Sequence, residues 1–118
     1  MKLNQYKQTV IETVVEPMLS FMGDCEDCEY TADDVAECQS LLNTYLEALA
    51  AMDDPSDEAI MAQVQTVVLA LNELNEKTDY ALIETGEREA IWEVIQTSAV
   101  DFGLQECDED ITEEWREW

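Results

Sequence analysis

Four cysteines are the residues of this sequence best suited to metal or redox chemistry. Cys25 and Cys28 form a C-x-x-C pair, while Cys38 and Cys107 lie elsewhere in the chain. A structural zinc site usually draws on a second C-x-x-C, which the sequence does not contain. The two acids between Cys25 and Cys28 also disfavour the thiolate that a reactive cysteine needs. These two residues are therefore weak candidates for metal ligands, and we expect neither a metal nor a cofactor.

The carboxylates are too numerous for any two of them to stand out as an acid–base couple. The chain has 29 Asp and Glu and no His, so the commonest general base is absent. The Glu-x-x-His motif of di-metal carboxylate bundles does not occur, and neither does a phosphate loop or a nucleophile elbow. The sequence therefore predicts that this protein is not an enzyme.

Net charge is the abnormal property of the chain. Against 29 acids it has 5 Lys and Arg, which gives −24 in 118 residues, and residues 23–59 hold twelve acids without one basic residue. Phosphates of nucleic acids and anionic membranes are repelled by such a surface, whereas a basic protein is attracted. The candidate partner-binding acids flank two predicted turns: Asp24, Glu26, Asp27, Glu29, Asp33, Asp34, Glu37, Asp53, Asp54, Asp57 and Glu58.

The same acidity has a plainer explanation. Asp and Glu are favoured at helix N-termini and in solvated loops, and a salt-rich host selects acidic surfaces without any specific partner. That explanation does not account for the near absence of compensating Lys, since ordinary surfaces mix both signs. Both interpretations stay open on the sequence alone.

Four helices are predicted to carry these side chains, over about residues 3–22, 32–52, 57–77 and 85–102. Pro17 predicts a kink or break in the first, because proline removes one hydrogen bond of the helix ladder. The connections are short, so the predicted fold class is all-α, an antiparallel four-helix bundle with a short helical or extended acidic tail. The expected core positions of the first two helices are Leu3, Tyr6, Val10, Val14, Met18 and Phe21, then Val35, Cys38, Leu42, Tyr45, Leu49 and Met52.

The C-terminal tail combines acids with large apolar residues. We divide the chain into a helical bundle, residues 1–104, and a tail, residues 105–118, packed on it. Ile111, Trp115 and Trp118 repeat at helical spacing, and Asp110 is placed to cap a last short helix. Because so short a helix is unstable alone in water, these three residues are expected to contact either the bundle or a partner. Packing on the bundle is the preferred alternative.

The C-terminal third also carries a resemblance. Leu82-Ile83-Glu84-Thr85, then Glu87-Arg88-Glu89, and the ending Asp110-Ile111-Thr112-Glu113-Glu114-Trp115-Arg116-Glu117-Trp118 resemble a group of small uncharacterised bacterial proteins with acidic, Trp-containing tails. The resemblance covers about the last third of the chain. It implies a bacterial origin and no particular activity.

The leading hypothesis for function is a non-enzymatic acidic protein that docks on or neutralises a basic protein partner, in the manner of an immunity protein or a nucleic-acid mimic. The alternative is a structural protein that acts by self-association, forming a homodimer through Trp115 and Trp118, with its acidity reflecting solubility or a salt-rich host. No apolar run is long enough to span a bilayer and the N-terminus does not resemble a signal peptide, so we expect a cytoplasmic protein. Direct binding of nucleic acid or membrane is not expected.

Overall fold

The chain folds into four antiparallel helices, which confirms the predicted all-α bundle. The computed structural model describes residues 2–24, 30–80, 82–83, 85–104, 111–113 and 115–118. Its elements are α1 (Lys2–Val10), a π-helical segment (Ile11–Val15), α2 (Glu16–Asp24), α3 (Ala32–Ala51), α4 (Asp57–Lys77) and α5 (Thr85–Asp101). Since α1, the π segment and α2 are continuous, they form one N-terminal rod.

The π segment accommodates Pro17 within the continuous rod. Proline has no N–H, and its ring crowds the carbonyl four residues earlier, so a regular α-turn is disfavoured there. The Glu16 N–H instead donates to the Ile11 carbonyl, five residues back, and the rod continues without a break. Because of the widened turn, the apolar stripe continues after Met18 at Met22 and not at Phe21. Val10, Val14 and Met18 are fully buried as predicted.

Phe21 is the one predicted core position of the rod that the shift displaces. Its side chain is 45% exposed. Met22 packs against the core instead. The Phe21 ring stacks on that of Tyr30, with 6.3 Å between the centroids, so it covers the start of α3 from outside. The prediction that Phe21 is a core residue is therefore wrong.

Helices α3 and α4 each begin with a side-chain cap, at Thr31 and at Ser56. The Thr31 side chain accepts from the Asp34 N–H and the Asp34 carboxylate accepts from the Thr31 N–H, a reciprocal capping box. At the start of α4 the Ser56 hydroxyl accepts from the Ala59 N–H. The core-facing residues of the two helices are Val35, Cys38, Leu42, Tyr45, Leu46, Leu49, Ile60, Val64, Val67, Val68, Leu71 and Leu74.

A Schellman motif ends α4. The Tyr80 N–H donates to the Asn75 carbonyl and the Asp79 N–H to the Glu76 carbonyl, with Asp79 at φ +57° in the position that usually holds glycine. Beyond it Leu82 and Ile83 are buried outside any helix. They belong to the core cluster, and we call this pair of residues the plug.

Side-chain contacts fix the directions of the four helices. The Lys7–Glu47 ion pair joins the start of the rod to the end of α3, and Lys77 reaches Asp34 from the end of α4 to the start of α3. Gly103, which ends α5 at φ +133°, lies beside Pro55. The bundle thus has a Lys77 end, where α3 begins and α4 ends, and a Pro55 end, where α3 ends and α4 begins. No helix within the described ranges is long and apolar enough to cross a membrane.

Candidate functional site

The first predicted acidic surface lies at the Lys77 end, on the first two turns of α3. Asp33 and Glu37 are exposed, whereas Asp34 is 9% exposed. Lys77 crosses from α4 and places its Nζ 3.3 Å from Asp34 Oδ1 and 3.6 Å from Glu37 Oε2. The three acids are therefore not equivalent, because one belongs to the fold.

Asp34 is committed to the capping box. The hydrogen bond from the Thr31 N–H is the main cause that lowers the pKa of the Asp34 carboxyl. Burial raises this pKa in part, and the nearby Lys77 lowers it further. The same contacts raise the pKa of Lys77, the hydrogen bond to Asp34 first. Of the three predicted binding residues on α3, Asp34 is thus the one whose carboxylate is part of the helix cap, whereas the exposed Glu37 carboxylate contacts Lys77.

Several predicted residues are not placed by the structure. Asp24 is the last residue of α2, and nothing is described of its side chain. Glu26, Asp27, Glu29 and the two weak metal candidates, Cys25 and Cys28, lie outside the described residues.

The second acidic surface is the turn between α3 and α4 at the Pro55 end. The side chains of Asp53, Asp54, Asp57 and Glu58 are all exposed. Asp54 has a φ of +51°, in the left-handed region that Asp tolerates better than most residues. Asp57 and Glu58 occupy the first turn of α4, where the helix dipole favours negative charge.

The two acidic surfaces are separate. They lie at opposite ends of α3, whose 20 residues span about 30 Å at 1.5 Å per residue. One compact ligand does not bridge such a distance. The acids predicted as partner-binding residues therefore belong to two surfaces, each able to contact a partner on its own or as part of a large interface.

The described residues of the tail, 111–113 and 115–118, lie on the bundle. The Asn72 Nδ2 donates to the Trp115 carbonyl at 2.7 Å, and the Glu117 N–H donates to Asn72 Oδ1 at 3.0 Å. The Ile111 N–H donates to Gln96 Oε1 at 3.0 Å. Two side-chain amides, one on α4 and one on α5, thus hold the tail through its backbone.

The aromatic residues of the tail are drawn into this contact. Trp118 is 9% exposed and Trp115 is half-buried. Arg116 lies over the Trp118 ring, 5.4 Å from its centroid. The Trp115 and Arg116 N–H groups both donate to the Thr112 carbonyl. The predicted cap of a last short helix, Asp110, lies outside the described residues.

Asn72 and Gln96 are the positions that sequence reasoning missed. The only sign of this role in the sequence is that a polar residue, Asn72, lies next to a core position, Leu71. That pattern does not identify the hydrogen-bond partner of Asn72. Asn75 is a second case: buried on the same helix, it accepts from the Ile83 N–H and fixes the plug.

A shallow groove runs along the outer side of the α3–α4 pair. Near the Lys77 end it encloses about 280 Å³ and is lined by Glu37, Leu41, Ala70, Glu73, Leu74 and Lys77. It continues past Leu41 and Ala70 into a smaller concavity of about 70 Å³. We call the whole feature the α3–α4 groove.

Nothing in the described residues suggests a catalytic or metal centre. No group of three or more Cys, Asp or Glu within those residues is placed to hold a metal ion. Cys38 lies in the core, and burial raises the pKa of its thiol to about 12, so it stays protonated and inert at neutral pH. No family model, curated protein or solved structure matches this chain.

Proposed function

We propose that this chain is a non-enzymatic binding protein whose acidic surfaces dock on or neutralise a basic protein. One observation carries the proposal. Even if each of the five basic residues paired with one carboxylate, 24 carboxylates would remain without a cation. The exposed acids of the α3–α4 turn, Asp53, Asp54 and Glu58, show where part of this excess lies.

The scaffold supports this proposal as well as the charge. Helices α3 and α4 are long and capped, and their packed core side chains hold the exposed acids in fixed positions. A rigid array of negative charge can imitate the phosphates that a nuclease recognises, or can mask the basic surface of a toxin. Immunity-protein-like and nucleic-acid-mimic-like activities are concrete forms of the proposal.

Self-association through the tail is the rival proposal. It needs Trp115 and Trp118 to be available to a second copy. The burial of Trp118 and the two hydrogen bonds of Asn72 to the tail backbone favour the basic-partner proposal over it. Sedimentation of the full chain and of a version ending at Cys107 tests the rival, which requires a dimer that the shorter chain does not form.

The test of the proposal is the binding of a purified basic nuclease, measured by calorimetry at several salt concentrations. We expect the affinity to fall steeply as salt rises, because screening weakens attraction between opposite charges. The double variant Asp33→Asn, Glu37→Gln should also bind more weakly. Asp34 is left intact because its neutralisation would remove the helix cap. An affinity independent of salt, or no binding at low salt, refutes the proposal.

A further inference from the structure

The α3–α4 groove has an apolar floor and an acidic rim. Leu41 comes from α3, Ala70 and Leu74 from α4, while Glu37 and Glu73 stand on opposite walls. At about 280 Å³ the groove is at the lower limit of the roughly 300–1,000 Å³ typical of small-molecule sites. It is better matched to one long side chain than to a whole metabolite.

Lys77 supplies a cation that already contacts this acidic rim. Lys77 is one of the residues that line the groove, and its ammonium group contacts Asp34 and Glu37. The chain thus already places a cation on a flexible apolar stem at this rim. The pairing is exposed, since 61% of the Lys77 side chain is accessible, and exposed ion pairs yield readily to a competing cation.

Glu73 is the acid on the α4 wall of the groove. It lies one turn before the end of α4, beyond the reach of the helix dipole, and it caps no helix end. Helix capping and the dipole therefore do not account for Glu73. Its position beside an apolar groove is what a cationic ligand would exploit.

We propose that the α3–α4 groove is the surface on which the basic partner inserts an arginine side chain, displacing Lys77 from Glu37. The arginine stem packs on Leu41 and Ala70, and its guanidinium bonds to the carboxylates of Glu37 and Glu73. Arginine fits better than a free metal ion because it is weakly hydrated and its planar fork pairs with carboxylates while its stem contacts apolar surface. This inference rests on the proposed function, since it names the contact through which a basic partner docks.

A charge-neutral substitution tests the groove apart from the net charge. Ala70→Leu fills the floor and keeps the helix, because leucine is a strong helix former. Ala62→Leu is its matched control, an exposed alanine on the same helix that does not line the groove. The probe is a fluorescent nona-arginine peptide, with binding followed by anisotropy at low and moderate salt. We expect Ala70→Leu to weaken binding about tenfold and Ala62→Leu to bind like the natural chain.

A charge-matched pair gives a second, independent measurement. The groove variant combines Glu37→Gln with Glu73→Gln, and the turn variant combines Asp53→Asn with Glu58→Gln. Each removes two carboxylates, the first from the groove and the second from the turn at the other end of the bundle. We expect the groove variant to lose about tenfold in affinity and the turn variant much less. Circular dichroism and thermal melts confirm that each variant is folded. A nona-lysine peptide should bind more weakly than nona-arginine.

The outcomes separate the two proposals. If the natural chain does not bind nona-arginine at low salt, the proposed function itself fails. If it binds with strong salt dependence, but Ala70→Leu has no effect and both double variants weaken binding equally, the acidity acts as bulk charge and the groove assignment is overturned. If the turn variant loses more affinity than the groove variant, the groove assignment is likewise overturned.

Discussion

Asn72 is the position where a single substitution should separate the tail from the bundle. It is 7% exposed, on α4, and its amide makes both hydrogen bonds to the backbone of the tail. Asn72→Ala removes both bonds and leaves the Trp115 carbonyl and the Glu117 N–H without these partners. At a net value of about 0.5–1.5 kcal/mol for each hydrogen bond, the expected loss of unfolding free energy is about 1–3 kcal/mol.

The chain offers a matched control at Asn43. Its Oδ1 is buried and has no hydrogen-bond partner within the described part of the structure. Asn43→Ala makes the same chemical change inside α3, so the higher helix propensity of alanine, up to about 0.7 kcal/mol, contributes to both variants. Because Asn43→Ala removes an unsatisfied acceptor instead of a bonded one, we expect it to be neutral or up to about 1 kcal/mol more stable than the natural chain.

Two measurements decide the outcome. Urea unfolding gives the free energy of each variant from the midpoint and slope of the transition. Amide hydrogen exchange reports the Glu117 N–H directly, and its protection should fall in Asn72→Ala and not in Asn43→Ala. Equal stabilities of the two variants, or an unchanged Glu117 exchange rate, would show that Asn72 does not hold the tail and would refute the reasoning.

Three further predictions concern charge and backbone. Because folding lowers the pKa of Asp34, the contribution of its carboxylate to stability is complete above the unfolded pKa near 3.9 and is lost as pH falls through the folded pKa. The stability difference between the natural chain and Asp34→Asn should therefore shrink at acid pH. Urea titrations from pH 7 to 2 measure it, with Asp33→Asn as control. Replacing Asp79 with glycine should stabilise the fold by about 0.5–1 kcal/mol in thermal melts, since glycine adopts positive φ without strain. An equal gain in Asp79→Ala, which removes the charge but not the strain, would attribute the effect to charge. Glu58→Gln, in the first turn of α4, should be less stable than Glu76→Gln, in its last turn, by about 1 kcal/mol in urea, and the reverse order would contradict the dipole argument.

The core of α3 shows what the sequence can predict. Val35, Cys38, Leu42, Tyr45 and Leu49 repeat at intervals of three and four residues, and all five are buried. Such a repeat places residues on one face of a helix regardless of what packs against it. The caps of α3 and α4 are equally local, because each capping hydroxyl accepts from the N–H group three residues further on.

Phe21 shows where the same reasoning stops. The repeat assumes 3.6 residues per turn, and the π segment before Pro17 widens one turn, so that beyond Met18 the apolar stripe continues at Met22 instead of Phe21. Pro17 predicts an irregularity in the helix. It does not determine whether the helix breaks, kinks or widens, because that outcome depends on how the rest of the bundle packs against both halves of the rod.

Asn72 lay beyond prediction for a different reason. Its hydrogen-bond partners are 43 and 45 residues away in the chain, and the tail that supplies them has no strong structural preference of its own. A buried asparagine in a helix indicates that a partner exists, since unsatisfied buried amides are costly. Which backbone supplies the partner follows only from tertiary packing.

The acids of this chain can be divided by whether the fold uses them. Asp34 caps α3, and Asp57 and Glu58 lie where the dipole of α4 favours negative charge, so local physics accounts for these three. Glu76 lies in the last turn of α4, where the dipole disfavours it, and Glu73 lies one turn earlier, on the wall of the α3–α4 groove. Neither helix capping nor the dipole accounts for Glu73, and the proposed arginine contact gives it a role. The partner-binding surface should therefore be sought first where an acid lines the groove and serves no helix end, and not where acids are most concentrated.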